Sequence, residues 1–186
     1  NHWSEVLQDV QLGMAHAAAG KDEQAKTVLE RSIVASGQYD HPLTGLVLLE
    51  LGRIALDQGQ FPQAAELFLE ATYAGAQYND PSVIDDAFRY GFLVHLMTNQ
   101  PGMYPPLEAA AAWARVKGYR ALQASLTVSA AENQAHLQNY GEALKLAASA
   151  RSVIGNRQMG SGRLGARLNY VPALAQAGRG DSNASQ

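Results

Sequence analysis

The residue types that most often carry chemistry occur in this chain at spacings that no common catalytic or metal site uses. Its five histidines lack metal-binding patterns such as His-Glu-x-x-His; they are His2, His16, His41, His95 and His136. Cysteine is absent, which excludes disulfides and thiolate metal ligands. The sequence also has no Gly-x-Ser-x-Gly nucleophile elbow and no phosphate-binding P-loop. We therefore expect no catalytic residue, no metal and no cofactor, and we interpret the protein as a non-enzyme.

Three short motifs have a simpler interpretation than chemistry. Asp85 and Asp86 form an acid pair, and we predict that they are first-turn acids which complement a helix dipole. The Gly-Ser-Gly at 160–162 lacks the Lys-Ser/Thr of a phosphate loop, so we interpret it as a linker between repeats. Arg179-Gly180-Asp181 resembles the integrin-recognition tripeptide, but so short a motif often arises by chance, and we assign it no role.

Composition narrows the class of partner. The net charge of −3 and the absence of a basic patch argue against nucleic-acid binding. No apolar run reaches the length that a membrane-spanning helix needs, so we expect no membrane insertion. At 47% hydrophobic residues, the chain has enough apolar surface to bury a core. Because the sequence begins with Asn1 and not Met, we expect it to be a processed form or a piece of a longer protein.

A pattern that recurs at a nearly constant interval organises the whole chain. A small residue follows an apolar or alanine residue at Gly13, Gly52, Gly91 and Ala131. Internal periods of this length, roughly 40 residues, are typical of stacked helical repeats. A small residue at each step lets two helices cross closely, and we expect a large neighbour such as Phe68 to fill the remaining space.

The clearest copy carries a family resemblance. Its pattern is Leu51-Gly52, Ala55, Gly59, Ala64, Phe68 and Ala71. Over roughly residues 7–178 the chain resembles tetratricopeptide-repeat (TPR) proteins. It departs from them in its repeat, which is longer than the usual length of about 34 residues, and in Leu48, which stands where the family has Trp. The resemblance implies an all-α superhelix of about four helical hairpins and a C-terminal capping helix.

Proline, glycine and apolar spacing predict nine helices and no sheet. We expect residues 1–177 to form the repeat domain, residues 178–186 to be a disordered tail, and residues 99–106 to form an irregular turn. Asp80 is placed to cap the helix that begins at Pro81. The nine predicted helices are 4–19, 21–36, 42–58, 61–75, 81–98, 106–116, 119–138, 140–154 and 161–177.

The TPR resemblance also implies a binding groove, because the first helix of each hairpin lines the inner face of such arrays. The residue after each small residue, and those one turn away, then point inwards. Lys and Asn do not occupy these positions, which argues against the carboxylate clamp of chaperone-binding members. The groove residues that we predict are Met14, Leu49, Arg53, Phe88, Phe92, His95, Val128 and Glu132. The alternative that Phe88 and Phe92 simply pack against neighbouring helices stays open.

These observations favour a protein–protein interaction module, a scaffold or adaptor that binds a peptide or helix of a protein partner. The alternative is a regulatory or sensing segment of a larger multidomain protein, such as a transcription regulator, in which repeats of similar length occur.

Overall fold

The secondary structure that can be described is entirely helical. The computed structural model describes residues 2–39, 41–98, 107–155 and 162–180, and these residues contain nine helices and no strand. The expected all-α fold is therefore confirmed, with each helix within a few residues of its predicted bounds. The helices are α1 (His2–Ala18), α2 (Asp22–Tyr39), α3 (Thr44–Asp57), α4 (Phe61–Gln77), α5 (Pro81–Thr98), α6 (Leu107–Val116), α7 (Arg120–His136), α8 (Tyr140–Ile154) and α9 (Arg163–Gly178).

Left-handed residues end several of these helices in the same way. Gly59 has φ +73° after α3, and the N–H of Gln60 donates to the carbonyl of Ala55 at 2.8 Å. This bond closes a Schellman turn, which requires a backbone conformation that glycine adopts at little cost. Gly20 has the same conformation after α1, whereas Gln138 adopts it after α7 despite carrying a side chain. Both glycines therefore end the first helix of their hairpin.

The start of α5 matches one expectation and corrects another. The Asp80 side chain accepts hydrogen bonds from the backbone N–H groups of Ser82 (3.0 Å) and Val83 (3.2 Å), as a capping residue does. Asp85 and Asp86, however, do not lie in the first turn, which contains no acidic residue. The prediction that they complement the helix dipole was wrong, because the helix begins at Pro81 and places both one turn further along. Asp86 instead accepts a hydrogen bond from Arg89 at 2.8 Å.

The chain divides into two compact units, residues 1–104 and 105–186. In the first unit α1 packs on α2 and α3 packs on α4, so neighbouring helices form hairpins, and α5 packs on α4 and α3. Leu51 and Phe68 belong to two different core clusters of this unit. Leu51 lies with Val6, Val10 and Leu29 of the first hairpin, whereas Phe68 lies with residues of α3, α4 and α5.

Each of the two hairpins of the first unit contains the same kind of close approach. A Cβ at Gly52 would stand 2.6 Å from the Cε1 atom of Phe68, and a Cβ at Gly13 would stand 2.5 Å from the Cδ2 atom of Leu29. Real Cβ atoms do not approach carbon this closely, so both large side chains occupy space that only glycine leaves open. Phe68 and Leu29 are fully buried there.

The second unit repeats the hairpin with smaller residues. Helix α7 packs on α8, and Ala131 and Ala147, at the positions of Gly52 and Phe68, belong to one buried cluster. Helix α9 packs on both α7 and α8 through Leu168 and Val171. The expected stacking of the ninth helix on the fourth hairpin is therefore confirmed.

The predicted tail begins at the last residue of α9. Gly178 is the last residue of α9, and its position close to the Tyr140 ring leaves no room for a side chain. The segments 181–186 and 99–106, and with them Asp181 and the whole of the expected irregular turn, lie outside the described residues.

Replacing Gly52 by Leu should lower the free energy of unfolding by more than about 2 kcal/mol, because the new side chain overpacks the site that Phe68 occupies. The matched control is Gly141→Leu, in a helix where a Cβ would meet nothing within 4 Å. Urea denaturation of both variants measures the difference. Equal stability of the two variants would show that Gly52 is not at a tight helix crossing.

Candidate binding surface

One row of residues along the first helices of the hairpins remains partly exposed. Met14, Arg53 and Phe92 each follow the small residue of their repeat, and all three are half-buried in the first unit. They occupy equivalent positions on α1, α3 and α5, and α3 contacts both of the other helices. We call Met14, Arg53 and Phe92 the surface row.

The positions one helical turn earlier are buried instead. Leu49 and Phe88 are 6% and 3% exposed in the first unit, and Val128 is fully buried in the second. Leu49 belongs to the same core cluster as Val83 and Ala87 of α5, so neighbouring first helices close over it. These three predicted groove residues therefore offer little surface, and a partner of the first unit would meet mainly the surface row.

Arg53 is held in place by a carboxylate and by an aromatic ring. Its Nη1 atom donates to Glu50 at 2.9 Å, and its guanidinium lies 5.8 Å from the centroid of Tyr90. Burial of the guanidinium opposes its charge, but Glu50, Tyr90 and Asp57 outweigh this effect and raise the pKa of Arg53 above its ordinary value. The side chain is still 43% exposed, so a fixed cation faces solvent.

A second arginine, Arg89, also lies over the Tyr90 ring. Arg89 lies 4.5 Å from the Tyr90 centroid and donates to Asp86. Burial opposes its charge, but Asp86 and Tyr90 outweigh this effect and raise the pKa of Arg89 above its ordinary value. Its Nε atom is buried and has no hydrogen-bond partner among the residues that the structure describes, and attraction to the aromatic face compensates in part. Tyr90 in turn stacks on Phe68, with centroids 5.4 Å apart and planes 15° apart. The two guanidinium groups thus rest on a ring that the buried core supports.

Phe92 and His95 complete the predicted set in the first unit. Their rings stack with centroids 6.5 Å apart, and both side chains are half-buried. Since Phe92 is the repeat equivalent of Arg53, the first unit places an aromatic pair and a held guanidinium at matching positions on adjacent helices. Met14 occupies the same position on α1 and packs against the core cluster that contains Leu51.

Glu132, the equivalent residue of the second unit, is bound within the chain. Its Oε2 atom accepts a hydrogen bond from the Nη2 atom of Arg167 on α9 at 2.9 Å. That Nη2 atom also donates to the Ser129 hydroxyl at 2.9 Å. Sequence reasoning missed Arg167. The available signal was the polar stripe of Ser125, Ser129 and Glu132 on α7, whose spacing places three acceptors on one helix face. The predicted groove that combines residues of both units stays a prediction.

The histidines do not gather into a site. Among residues whose placement is described, no group of three or more His, Asp or Glu side chains could hold a metal ion. His41 is buried, its Nδ1 atom accepts from the N–H of Leu43 at 3.1 Å, and Trp3 packs on its ring. Burial lowers its pKa. Over the same described residues, no helix is long and apolar enough to cross a membrane.

No protein-family model and no curated protein sequence matches this chain.

Replacing Arg167 by Met should lower the free energy of unfolding by about 1–3 kcal/mol, because Glu132 and Ser129 lose a charged donor in a partly buried site. The matched control is Lys145→Met, whose partner Glu142 is 3.3 Å away and whose side chain is 77% exposed. We expect that control to stay within about 0.5 kcal/mol of wild type. Urea denaturation measures both variants. An Arg167 variant as stable as the Lys145 variant would contradict a structural role for the α7–α9 ion pair.

Proposed function

We propose that this protein is a TPR-like interaction module which binds a peptide or helix of a protein partner, and that it acts by binding and not by catalysis. The binding face in the first unit is the surface row together with Tyr90 and His95. The observation that carries the proposal is the Arg53 guanidinium, which is fixed by Glu50 and Tyr90 and yet 43% exposed.

The arrangement of small and large residues supports the TPR assignment. Three pairs have the same separation along the chain and place the hairpin contact in one register: Gly13 and Leu29, Gly52 and Phe68, and Ala131 and Ala147. In TPR arrays this contact joins the two helices of a repeat, and the first helices line the inner groove. On that basis α1, α3 and α5 present the ligand-binding side.

The chemistry of this face fits a protein ligand. Arginine and tyrosine are enriched among the residues that contribute most binding energy at protein interfaces. Arg53 and Arg89 are ordered before binding by carboxylates and by the Tyr90 ring, which reduces the entropy that a complex would cost. Phe92 and Met14 add apolar surface on either side of Arg53. A peptide with an apolar side chain next to a hydrogen-bond acceptor would match this arrangement of apolar side chains beside a guanidinium.

The combined replacement of Arg53 and Phe92 by Ala should weaken peptide binding by about thirtyfold or more, since two anchors of at least about 1 kcal/mol each are lost. A displayed peptide library would be selected against the wild-type protein. The Kd of the tightest peptide would then be measured by fluorescence anisotropy for wild type and variant.

The control for this experiment is Leu137→Ala with Lys145→Ala, two exposed residues of the second unit. It removes the same kinds of group and should leave the Kd unchanged. Circular dichroism checks that both double variants are folded. Equal affinity of wild type and the Arg53/Phe92 variant would exclude the surface row as the binding face, whereas an unfolded variant would assign Phe92 to the core.

A further inference from the structure

A cleft of about 320 Å³ lies on the first unit between α2 and α4, the second helices of two successive hairpins. Helix α3 forms its floor through Leu48, Leu51 and Ile54, and Ile33 and Leu67 form its walls. The surface row does not line it. The cleft exists because α3 packs against both α2 and α4, and these two helices leave a gap above it.

The second unit has an equivalent cleft with different chemistry. That cleft, about 240 Å³, lies between α6 and α8 above α7. Four lining residues of the first cleft that lie on α3 and α4 have counterparts two repeats later: Leu48, Leu51, Leu67 and Glu70 correspond to Thr127, Ala130, Leu146 and Ser149. Hairpin stacking therefore accounts for a cleft, but it does not require two leucines in the floor. The larger apolar side chains of its floor distinguish the first cleft from the second.

The rim of the first cleft is polar and slightly acidic. Lys26 and Glu30 are 4.0 Å apart and balance each other, which leaves Glu70 as the remaining charge among the described residues that line the rim. Gln60 and Gln63 also line the cleft, and a glutamine amide offers both donors and acceptors. Gln58 donates to Glu23 at 3.2 Å and ties α3 to α2 at the same end. Such a rim suits an uncharged polar group and repels a carboxylate.

We propose that this cleft binds an aliphatic chain which ends in an uncharged hydrogen-bonding group. Its volume is at the lower end of the range for small-molecule sites, which are typically apolar with a few polar groups that fix orientation. The floor from Leu48 to Gln58 extends about 15 Å along α3, enough for an extended chain of medium length. The inference does not depend on the proposed peptide-binding face.

The experiment uses N-phenyl-1-naphthylamine, an uncharged apolar dye whose fluorescence rises on burial, with the whole chain. Wild type should bind it saturably with one site, and decanol should displace it. Decanoate, which has the same kind of chain and a charged end, should displace it at least about tenfold less well, because its carboxylate meets Glu70.

Two blocking variants test the location. Val34 lines the mouth and is 66% exposed, so Val34→Trp fills the cleft without disturbing the core; Gln63→Trp does so from α4. Each should weaken dye binding at least about tenfold. Tyr73→Trp, at an α4 residue that is 62% exposed and outside the lining, is the matched control and should bind as wild type does.

Three results would overturn the proposal. Dye binding that does not saturate would mean that no defined site exists. Unchanged binding by both blocking variants would place the site elsewhere. Equal displacement by decanol and decanoate would refute the uncharged end group. If one blocking variant fails to fold by circular dichroism, the other decides the location.

Discussion

The close approach of the two helices within each hairpin is the constraint on which the rest of the structure depends. In the second hairpin a Cβ at Gly52 would stand only 2.6 Å from the Cε1 atom of Phe68, so the ring fits only because residue 52 is glycine. The first hairpin solves the same problem with Gly13 and Leu29, and the fourth with Ala131 and Ala147. A large residue on one helix thus faces glycine, and a small residue faces alanine, so that the combined volume at the crossing stays within what close packing allows.

That contact extends from the core to the surface. Because Gly52 admits Phe68 fully, the Phe68 ring can stack on Tyr90 of the next helix, and Tyr90 then supports Arg53 and Arg89. The cations of the proposed binding face are therefore positioned by an uninterrupted line of contacts that begins at a buried glycine. The gap between α2 and α4 has a related origin, since α3 packs under both helices and the gap stays open above it.

The sequence allowed the helices and their order to be predicted because the signals are local. Gly20 and Gly59 end helices and Asp80 caps one, each through contacts within a few residues, and the small residues that repeat in phase mark where the helices of a hairpin cross. The left-handed Gln138 shows the limit of such signals, because hairpin geometry imposes that conformation on a residue that does not favour it. The burial of individual side chains was harder to predict from the sequence. The sequence placed Leu49 and Arg53 on one helix face, but the contact between neighbouring first helices decides that Leu49 is covered and Arg53 is not. Arg167 and the cleft above α3 depend on contacts between distant segments, which periodicity alone does not reveal.

A double-mutant cycle on Gly52 and Phe68 tests the central claim most directly. The substitutions are Gly52→Ala and Phe68→Ala, and their combination reproduces the pair that Ala131 and Ala147 form in the fourth hairpin. Gly52→Ala alone should destabilise the protein by at least about 1 kcal/mol, because the added methyl group collides with the Phe68 ring. In the Phe68→Ala background the same change should be neutral or stabilising, by up to about 1 kcal/mol, since alanine favours helix over glycine. Free energies of unfolding from urea denaturation that show this reversal would support the account. Additive effects, with Gly52→Ala equally costly in both backgrounds, would contradict it.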